Sequence, residues 1–152
     1  MCGIPASGKS TYARKLAEKT GAVYVSRDEV RFSLLKDGED YFSHEDEVLN
    51  IFYSRINEAL VTNGSCIADA THLSRKARFQ TLNQIKCKDV KVVLIIMNTP
   101  LLVCLERNAK RTGRARVPET AIGNMYLSLK APVGKELNYY HKIIEVDSEE
   151  DD

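Results

Sequence analysis

Eight residues near the start of the chain have the spacing of a phosphate-binding loop. Glycines occupy the first and sixth positions, and a lysine and a serine close the run: Gly3, Ile4, Pro5, Ala6, Ser7, Gly8, Lys9, Ser10. In this G-x-x-x-x-G-K-S pattern, backbone N–H groups converge on an anion at a helix start, the lysine reaches the β- and γ-phosphates, and the serine hydroxyl binds Mg²⁺. Together with Thr11, the motif predicts a site for ATP and Mg²⁺.

Two aspartates follow apolar segments, at positions suited to phosphoryl transfer. Asp28 comes after a predicted strand at 22–25, and Asp69 ends a predicted strand at 66–68. Phosphoryl transfer needs a donor with neutralised charge and a carboxylate that orients the attacking hydroxyl, and ligands of open α/β sheets bind at the carboxyl ends of strands. Each aspartate alone could equally be a helix cap. In combination with Lys9 they favour catalysis, with Asp28 as the general base.

Arginines flank the first of these aspartates. Arg27 precedes Asp28, and Arg31 lies one helical turn further on. We therefore expect Arg31 to project beside the carboxylate toward an anionic group of the substrate. A surface salt bridge with Glu29 or Asp37 is the alternative, and for an isolated arginine it is the default.

A second group of basic residues occupies the stretch 107–116, which contains no acid: Arg107, Lys110, Arg111, Arg114, Arg116. Arg107 and Arg111 are four residues apart, which predicts that they share one face of a helix, and a guanidinium fork fits phosphate oxygens. A solvated charged face is the alternative. Because the stretch lies between the last two predicted helices, we expect a lid near 107–117 in which Arg107 and Arg111 contact the nucleotide and Arg114 contacts the acceptor.

Predicted strands alternate with predicted helices along the chain. The strands are 22–25, 66–68, 90–97 and 142–146, and the helices are 8–19, 28–34, 43–62 with Ser43 as its cap, 74–85, and two that start at Thr99-Pro100 and Val117-Pro118. One strand is apolar on both faces, which requires a parallel sheet covered on both sides. The pattern predicts an α/β P-loop NTPase fold, adenylate-kinase-like, with three layers α/β/α. Only two residues precede the loop, so we expect a truncated first strand.

Length and composition indicate the number of domains and the compartment of the protein. The length of 152 residues predicts a single kinase domain at 1–146, and the nearly all-acidic stretch 147–152 predicts a solvated tail. The formal net charge of +1 gives no overall attraction toward nucleic acid. Its cysteines show no CxxC spacing, so we expect reduced thiols and a cytoplasmic protein: Cys2, Cys66, Cys87, Cys104. The longest apolar run, 92–97, is too short for a membrane span.

Four motifs, in this order, resemble the phage-type polynucleotide 5′-hydroxyl kinase domain, a P-loop kinase of the zeta-toxin and polynucleotide-kinase-like AAA family. They are the phosphate loop, S-R-D-E-V-R at 26–31, I-A-D-A-T-H-L at 67–73, and E-R-N-A-K-R at 106–111, with Val117-Pro118 further on. The resemblance implies a general base at Asp28 and contact of the acceptor's terminal phosphate by Arg31. It also implies that Lys9, Ser10 and Arg111 hold the triphosphate and Mg²⁺.

The same resemblance implies an acceptor region around Asp69, Thr71 and His72, and a 5′-hydroxyl nucleic acid as the substrate. His72 replaces an asparagine that is usual in that family, and it could equally be a helix cap. Two alternatives stay open: a kinase of a small hydroxylated molecule such as a nucleoside, sugar or antibiotic, and a nucleotide-binding switch or ATPase module that acts on partners. A carboxylate directed at an acceptor favours a kinase over a switch. The sequence does not indicate an oligomeric state.

Overall fold

The structure, a computed structural model, describes residues 1–147, which form two compact units. The first unit comprises Met1–Lys9, Thr71–Gln80 and the chain from Asp89 onward, and the second comprises Ser10–Ala70 and Thr81–Lys88. Most of the predicted acidic tail, at 148–152, lies outside the described residues.

The second unit is built on a parallel pair of strands, β1 (Val23–Ser26) and β2 (Cys66–Asp69). Its helices are α1 (Lys9–Thr20), α2 (Arg27–Leu34) and α3 (Glu45–Asn63), and α3 packs against both strands and against α2. Apolar side chains of strand and helix meet in one core: Val25, Phe52, Ile56, Ala70. Ser26 pairs with Asp69, so both strands end at the same level, and the residues that follow them emerge at one edge.

The ends of the helices in this unit have local causes. The side chain of Ser26 accepts a hydrogen bond from the N–H of Glu29 at 3.2 Å, which caps α2. Gly64, at φ 82°, ends α3 in the left-handed conformation that glycine adopts without strain. The predicted cap at Ser43 is wrong: α3 begins after His44, and the Ser43 hydroxyl donates to the carbonyl of Asp40 at 2.7 Å, within the preceding turn.

The first unit contains a second parallel pair, β3 (Val93–Asn98) and β4 (Lys142–Asp147). The four central residues of β3 are buried, as its apolar sequence predicts. Cys2 joins β3 through an isolated parallel bridge with Ile96, in which the Cys2 N–H donates to the carbonyl of Ile95 at 2.8 Å. Its remaining elements are most of α4 (Arg75–Asn83), α5 (Leu101–Ala109), α6 (Glu119–Ser128) and two 3₁₀ turns at Gly113–Ala115 and Gly134–Tyr139.

Several predicted boundaries of these elements differ from the structure. The strand predicted from 90 begins at Val93, and the helix predicted to 85 ends at Asn83. Thr99 does not cap α5, because its hydroxyl donates to the carbonyl of Ser7 at 2.6 Å, and Pro100 occupies the N-cap position instead. The two 3₁₀ turns were not predicted.

The alternation of helices with parallel strands confirms the predicted α/β P-loop fold class. All four cysteines carry free thiols, two of them buried and two half-buried. Among residues 1–147, no helix combines the length and the apolar character that crossing a bilayer requires.

Candidate active site

The phosphate loop of the first unit curls because its glycines permit it. Gly3 and Gly8 have φ of 156° and 92°, and Ala6 between them has φ 63°. A Cβ on Gly3 would lie 2.8 Å from the Oγ of Ser7, closer than real Cβ atoms approach, and 3.1 Å from the Cβ of Met97, a tight contact. The G-x-x-x-x-G spacing therefore produces the predicted curled loop, in which close packing excludes a side chain at the first glycine.

Two cations donate to carbonyls of this loop. The ammonium of Lys9, which is buried, donates to the carbonyl of Ile4 at 2.8 Å. A guanidinium nitrogen of Arg107 lies 3.5 Å from the carbonyl of Ala6. The positive charge of both side chains is thus held at the loop, where the motif predicts the phosphates of a nucleotide.

Ser7 gives the loop a polar atom that suits an anion. Its hydroxyl oxygen is buried and has no hydrogen-bond partner among the described residues. A buried hydroxyl without a partner costs free energy unless a ligand or a water supplies one. A phosphate oxygen would accept a hydrogen bond from the Ser7 hydroxyl, so the loop fits the phosphates that the motif predicts.

In the second unit, Asp69 joins the serine of the loop motif to the end of β2. Asp69 is buried, and its carboxylate accepts hydrogen bonds from the hydroxyl of Ser10, at 2.7 Å, and from the hydroxyl of Tyr24. Burial raises the pKa of Tyr24, and its hydrogen bond to Asp69 raises that pKa further, so the phenol stays a proton donor at neutral pH. A hydroxyl and a carboxylate in contact are hard oxygen ligands of the kind that Mg²⁺ prefers.

Asp28 lies in the first turn of α2, directly after β1, as predicted. Its Oδ1 accepts hydrogen bonds from a guanidinium nitrogen of Arg31 and from the hydroxyl of Tyr41, the latter at 2.9 Å. Its Oδ2 receives none from residues 1–147, and 59% of the side chain is exposed. The carboxylate is therefore held at one oxygen and open at the other, which is the arrangement that a proton acceptor for a substrate hydroxyl needs.

Arg31 is buried behind this carboxylate, with only 5% of its side chain exposed. Its second terminal nitrogen donates to both carboxylate oxygens of Glu45, at 3.0 and 3.1 Å, and its guanidinium lies 4.3 Å from the ring centre of Tyr41. Arg27 also donates to Glu45. Burial raises the pKa of Tyr41, and the charge of Asp28 adds to that effect, so this phenol too remains protonated.

The side chain of Asn108 joins the two ends of the predicted lid by hydrogen bonds to the backbone of Val117. The side-chain amide of this buried residue donates to the carbonyl of Val117 at 2.7 Å and accepts from the N–H of Val117 at 2.9 Å. The residues between them, 109–116, are all exposed. Arg114 is among them, and Arg111 donates to the carbonyl of Ala115 at 3.4 Å.

The predicted helical face shared by Arg107 and Arg111 is wrong. Helix α5 ends at Ala109, and the N–H of Arg111 donates to the carbonyl of Asn108 at 3.0 Å, a tight last turn instead of a further helical turn. The pairing of Asn108 with Val117 draws the chain out of the helix. Any joint action of the two arginines therefore depends on the loop and not on helical spacing.

Thr71 and His72 contact the start of the phosphate loop. The carbonyl of Thr71 accepts from the N–H of Gly3 at 3.0 Å, and Nδ1 of the buried His72 ring lies 2.7 Å from the carbonyl of Met1. His72 has φ 44°, which is uncommon for a residue other than glycine. These contacts position the loop, and a role for either residue toward an acceptor stays a prediction.

Four polar residues of this description were not identified from the sequence: Tyr24, Tyr41, Glu45, Asn108. Each acts on a residue that is distant in the chain, as in the 45-residue separation between Tyr24 and Asp69. In the sequence, Glu45 has the appearance of an ordinary acid in the first turn of a helix. The one usable signal was Tyr24, a polar side chain within the predicted strand that precedes Asp28.

A family model described as an AAA domain matches residues 1–132 of this sequence. The chain belongs to the AAA domain family. Family and phosphate loop together make this a nucleotide-binding domain, which confirms the predicted kinship with P-loop AAA proteins at the level of the family. The finer resemblance to polynucleotide kinase is not established by this match.

Two solved structures share the fold. An unliganded sugar kinase from Janibacter sp. HTCC2649 is 21% identical with a TM-score of 0.64, and the match covers 96% of this chain and 82% of that one. A gluconokinase from Sinorhizobium meliloti 1021 is 20% identical with a TM-score of 0.61, covering 96% of this chain and 79% of that one. At these identities the two structures establish the fold alone.

Proposed function

We propose that this protein is an ATP-dependent kinase that transfers the γ-phosphate to a hydroxyl group of a small molecule, with a sugar or a sugar acid as the leading class of acceptor. The observation that carries the proposal is the setting of Asp28: a carboxylate at a strand end, fixed at one oxygen by Arg31 and Tyr41 and open at the other. A switch that hydrolyses ATP needs a residue that positions water, whereas a kinase needs a base for its acceptor.

The donor is held by the phosphate loop. Lys9 exchanges the carbonyl of Ile4 for phosphate oxygens, and the buried hydroxyl of Ser7 gains the partner that it lacks among the described residues. Ser10 and Asp69 would hold Mg²⁺, since their oxygens are already in contact and carboxylate, hydroxyl and phosphate oxygens together suit this ion. When bound, Mg²⁺ neutralises charge on the transferred phosphoryl group.

The acceptor is activated by Asp28. Its Oδ2 accepts the hydroxyl proton as the acceptor oxygen attacks the γ-phosphorus, and the bond from that phosphorus to the β–γ bridging oxygen breaks so that ADP leaves. The bonds of Oδ1 to Arg31 and Tyr41 keep the carboxylate from rotating meanwhile. Arg107 and Arg111 act on the donor from the basic stretch, and Arg114 acts on the acceptor. These three roles rest on the basic sequence 107–116 and on the exposure of its loop.

Charge pairing supports a small acceptor over a polyanion. The guanidinium groups of Arg27 and Arg31 both donate to Glu45, and Arg31 also pairs with Asp28, so two cations face two carboxylates. Arginines committed in this way offer little attraction to a row of phosphates. The two proteins that share the fold, a sugar kinase and a gluconokinase, point in the same direction.

A 5′-hydroxyl nucleic acid is the second candidate acceptor. It is favoured by the four motifs that occur in the order of the polynucleotide kinase domain, above all S-R-D-E-V-R at 26–31. In that arrangement Arg31 would have to release Asp28 or Glu45 to reach an acceptor phosphate.

The dependence of the acceptor Michaelis constant on salt separates these two acceptors. Contacts to nucleic-acid phosphates release counterions, so the constant for an oligonucleotide should rise steeply between low and physiological salt, whereas that for an uncharged sugar should stay flat. We expect a flat profile and a preference for the sugar. A preferred oligonucleotide with a steep profile would transfer the proposal to the second candidate, and ATP hydrolysis that no acceptor stimulates would favour a switch.

A further inference from the structure

Glu45 connects the two arginines that flank the candidate base. Its two carboxylate oxygens lie 3.0 and 3.1 Å from one nitrogen of Arg31, and Arg27 donates to the same carboxylate. The three side chains are partly or fully buried: 26% of Glu45, 27% of Arg27 and 5% of Arg31 is exposed. A charge network with so little solvent is screened weakly, so its net charge is felt by a neighbouring ligand.

The network sets the charge beside Asp28 and not only its position. With Glu45 ionised, two guanidinium groups are balanced by two carboxylates. Without that carboxylate, Arg27 and Arg31 would together carry one positive charge that no carboxylate in the network balances. That charge would lie behind the one carboxylate that the acceptor must approach, where a phosphate group on the acceptor would be attracted to it.

We propose that Glu45 determines acceptor specificity: it neutralises Arg27 and Arg31 so that the site accepts a hydroxyl compound without a phosphate group and discriminates against phosphorylated ones. This inference rests on the proposed kinase function and adds a specificity residue to it. Glu45 acts through the arginines, so it is a positioning residue and not a catalytic one. Its expected signature is a change in the preference between two acceptors, which loss of stability alone would not produce.

The test compares acceptors that differ only in a phosphate remote from the reacting hydroxyl: adenosine with adenosine 3′-monophosphate, and glucose with glucose 1-phosphate. For each pair, the ratio of kcat/KM for the phosphorylated member over the plain member is measured. In Glu45→Gln this ratio should rise at least about tenfold, which is the effect of one charge a few ångström from a phosphate at a partly exposed site. Glu45→Asp, which keeps the charge, should restore the ratio of the wild type.

Asp46→Asn is the matched control. Asp46 lies in the same first turn of α3, and its substitution removes the same charge from the same helix start. Within residues 1–147, however, it is Glu45 and not Asp46 that pairs with Arg27 and Arg31, so the ratio should not change. Because Glu45→Gln leaves the buried Arg31 short of a partner and can impair folding, Arg27→Gln provides a second test of opposite sign. It leaves Arg31 paired with Glu45, and the ratio should fall. A ratio within twofold of wild type in both Glu45→Gln and Arg27→Gln would overturn the proposal.

Failure of the proposed kinase function would give a result that differs from failure of the specificity role. If the wild type transfers phosphate to none of the four compounds, the proposed function fails for these acceptors, and binding then decides the role of Glu45. With the loop saturated by Mg²⁺ and ADP, adenosine 3′-monophosphate should bind Glu45→Gln about tenfold more tightly than wild type or Asp46→Asn. Equal affinity in the three proteins would overturn the specificity role.

Discussion

Asp28→Asn removes one charge and little else. The side chain is 59% exposed, and an asparagine oxygen can still accept from Arg31 and from Tyr41. Arg31 would also keep both of its bonds to Glu45. The substitution therefore tests the carboxylate as a proton acceptor with minimal disturbance of the network behind it.

The expected effects on stability and on catalysis differ in size. An ion pair with one exposed member contributes at most about 1 kcal/mol, so the free energy of unfolding should fall by no more than that. Loss of a general base costs about 10²- to 10⁴-fold in rate, which is about 3 to 5 kcal/mol in the activation barrier. Turnover should thus fall at least about 100-fold in a protein that is still almost as stable as the wild type.

Urea denaturation measures the first quantity, and single-turnover quench-flow with γ-labelled ATP and saturating acceptor measures the second. Glu29→Gln is the matched control, because Glu29 lies in the same turn and its side chain pairs, within residues 1–147, only with the exposed Arg14, at 3.1 Å. Its turnover should equal that of the wild type. Turnover of Asp28→Asn within threefold of wild type would refute the base assignment and leave Asp69 as the remaining candidate.

Four further predictions concern the loop, the metal ligand, the lid and the half-buried thiol of Cys66. Gly3→Ala should destabilise the protein by about 1 to 3 kcal/mol because of its 2.8 Å contact, whereas Gly123→Ala, with open space around it in α6, should be neutral or stabilising in the same urea titration. Asp69→Asn should raise the Mg²⁺ concentration for half-maximal turnover at least about tenfold, and an unchanged midpoint in a metal titration would remove this carboxylate from the metal site. Arg111→Lys should lower turnover more than nucleotide affinity, because an ammonium lacks the fork that fits phosphate oxygens, and wild-type turnover in that variant would argue against a lid. Burial raises the pKa of the Cys66 thiol from 9.0 to about 11, so alkylation by iodoacetamide, followed by mass spectrometry, should be slow at pH 8 and accelerate toward pH 11. The unfolded chain loses this proton near pH 9, so the thiol's contribution to stability, complete below pH 9, should be lost as the pH rises through 11.

The glycine of the phosphate loop and the aspartates at the strand ends were predictable from the sequence. The first glycine of the loop is required because the atoms around Gly3 leave no room for a Cβ. The aspartates at the strand ends followed from the apolar runs before them, and the paired level of Ser26 and Asp69 brings those ends to one edge.

Contacts between distant segments were not predictable. Glu45 meets Arg31 because α3 packs against α2, and nothing in the local sequence separates it from the acids next to it at the helix start. The end of α5 was misplaced for the same reason, since the pairing of Asn108 with Val117 overrides a sequence that would otherwise continue the helix. The acceptor's class depends on such contacts, which explains why the sequence alone favoured a polyanionic acceptor.

Label transfer from γ-³²P-ATP tests the central claim most directly. Wild-type protein, with Lys9→Met as the inactive control, is incubated with Mg²⁺ and one acceptor at a time: gluconate, glucose, adenosine, and an oligonucleotide with a 5′-hydroxyl. We expect the label to appear on a small hydroxylated acceptor, with little free phosphate, and to be lost in the control. Label released only as inorganic phosphate, at the same rate with every acceptor and with none, would contradict a kinase.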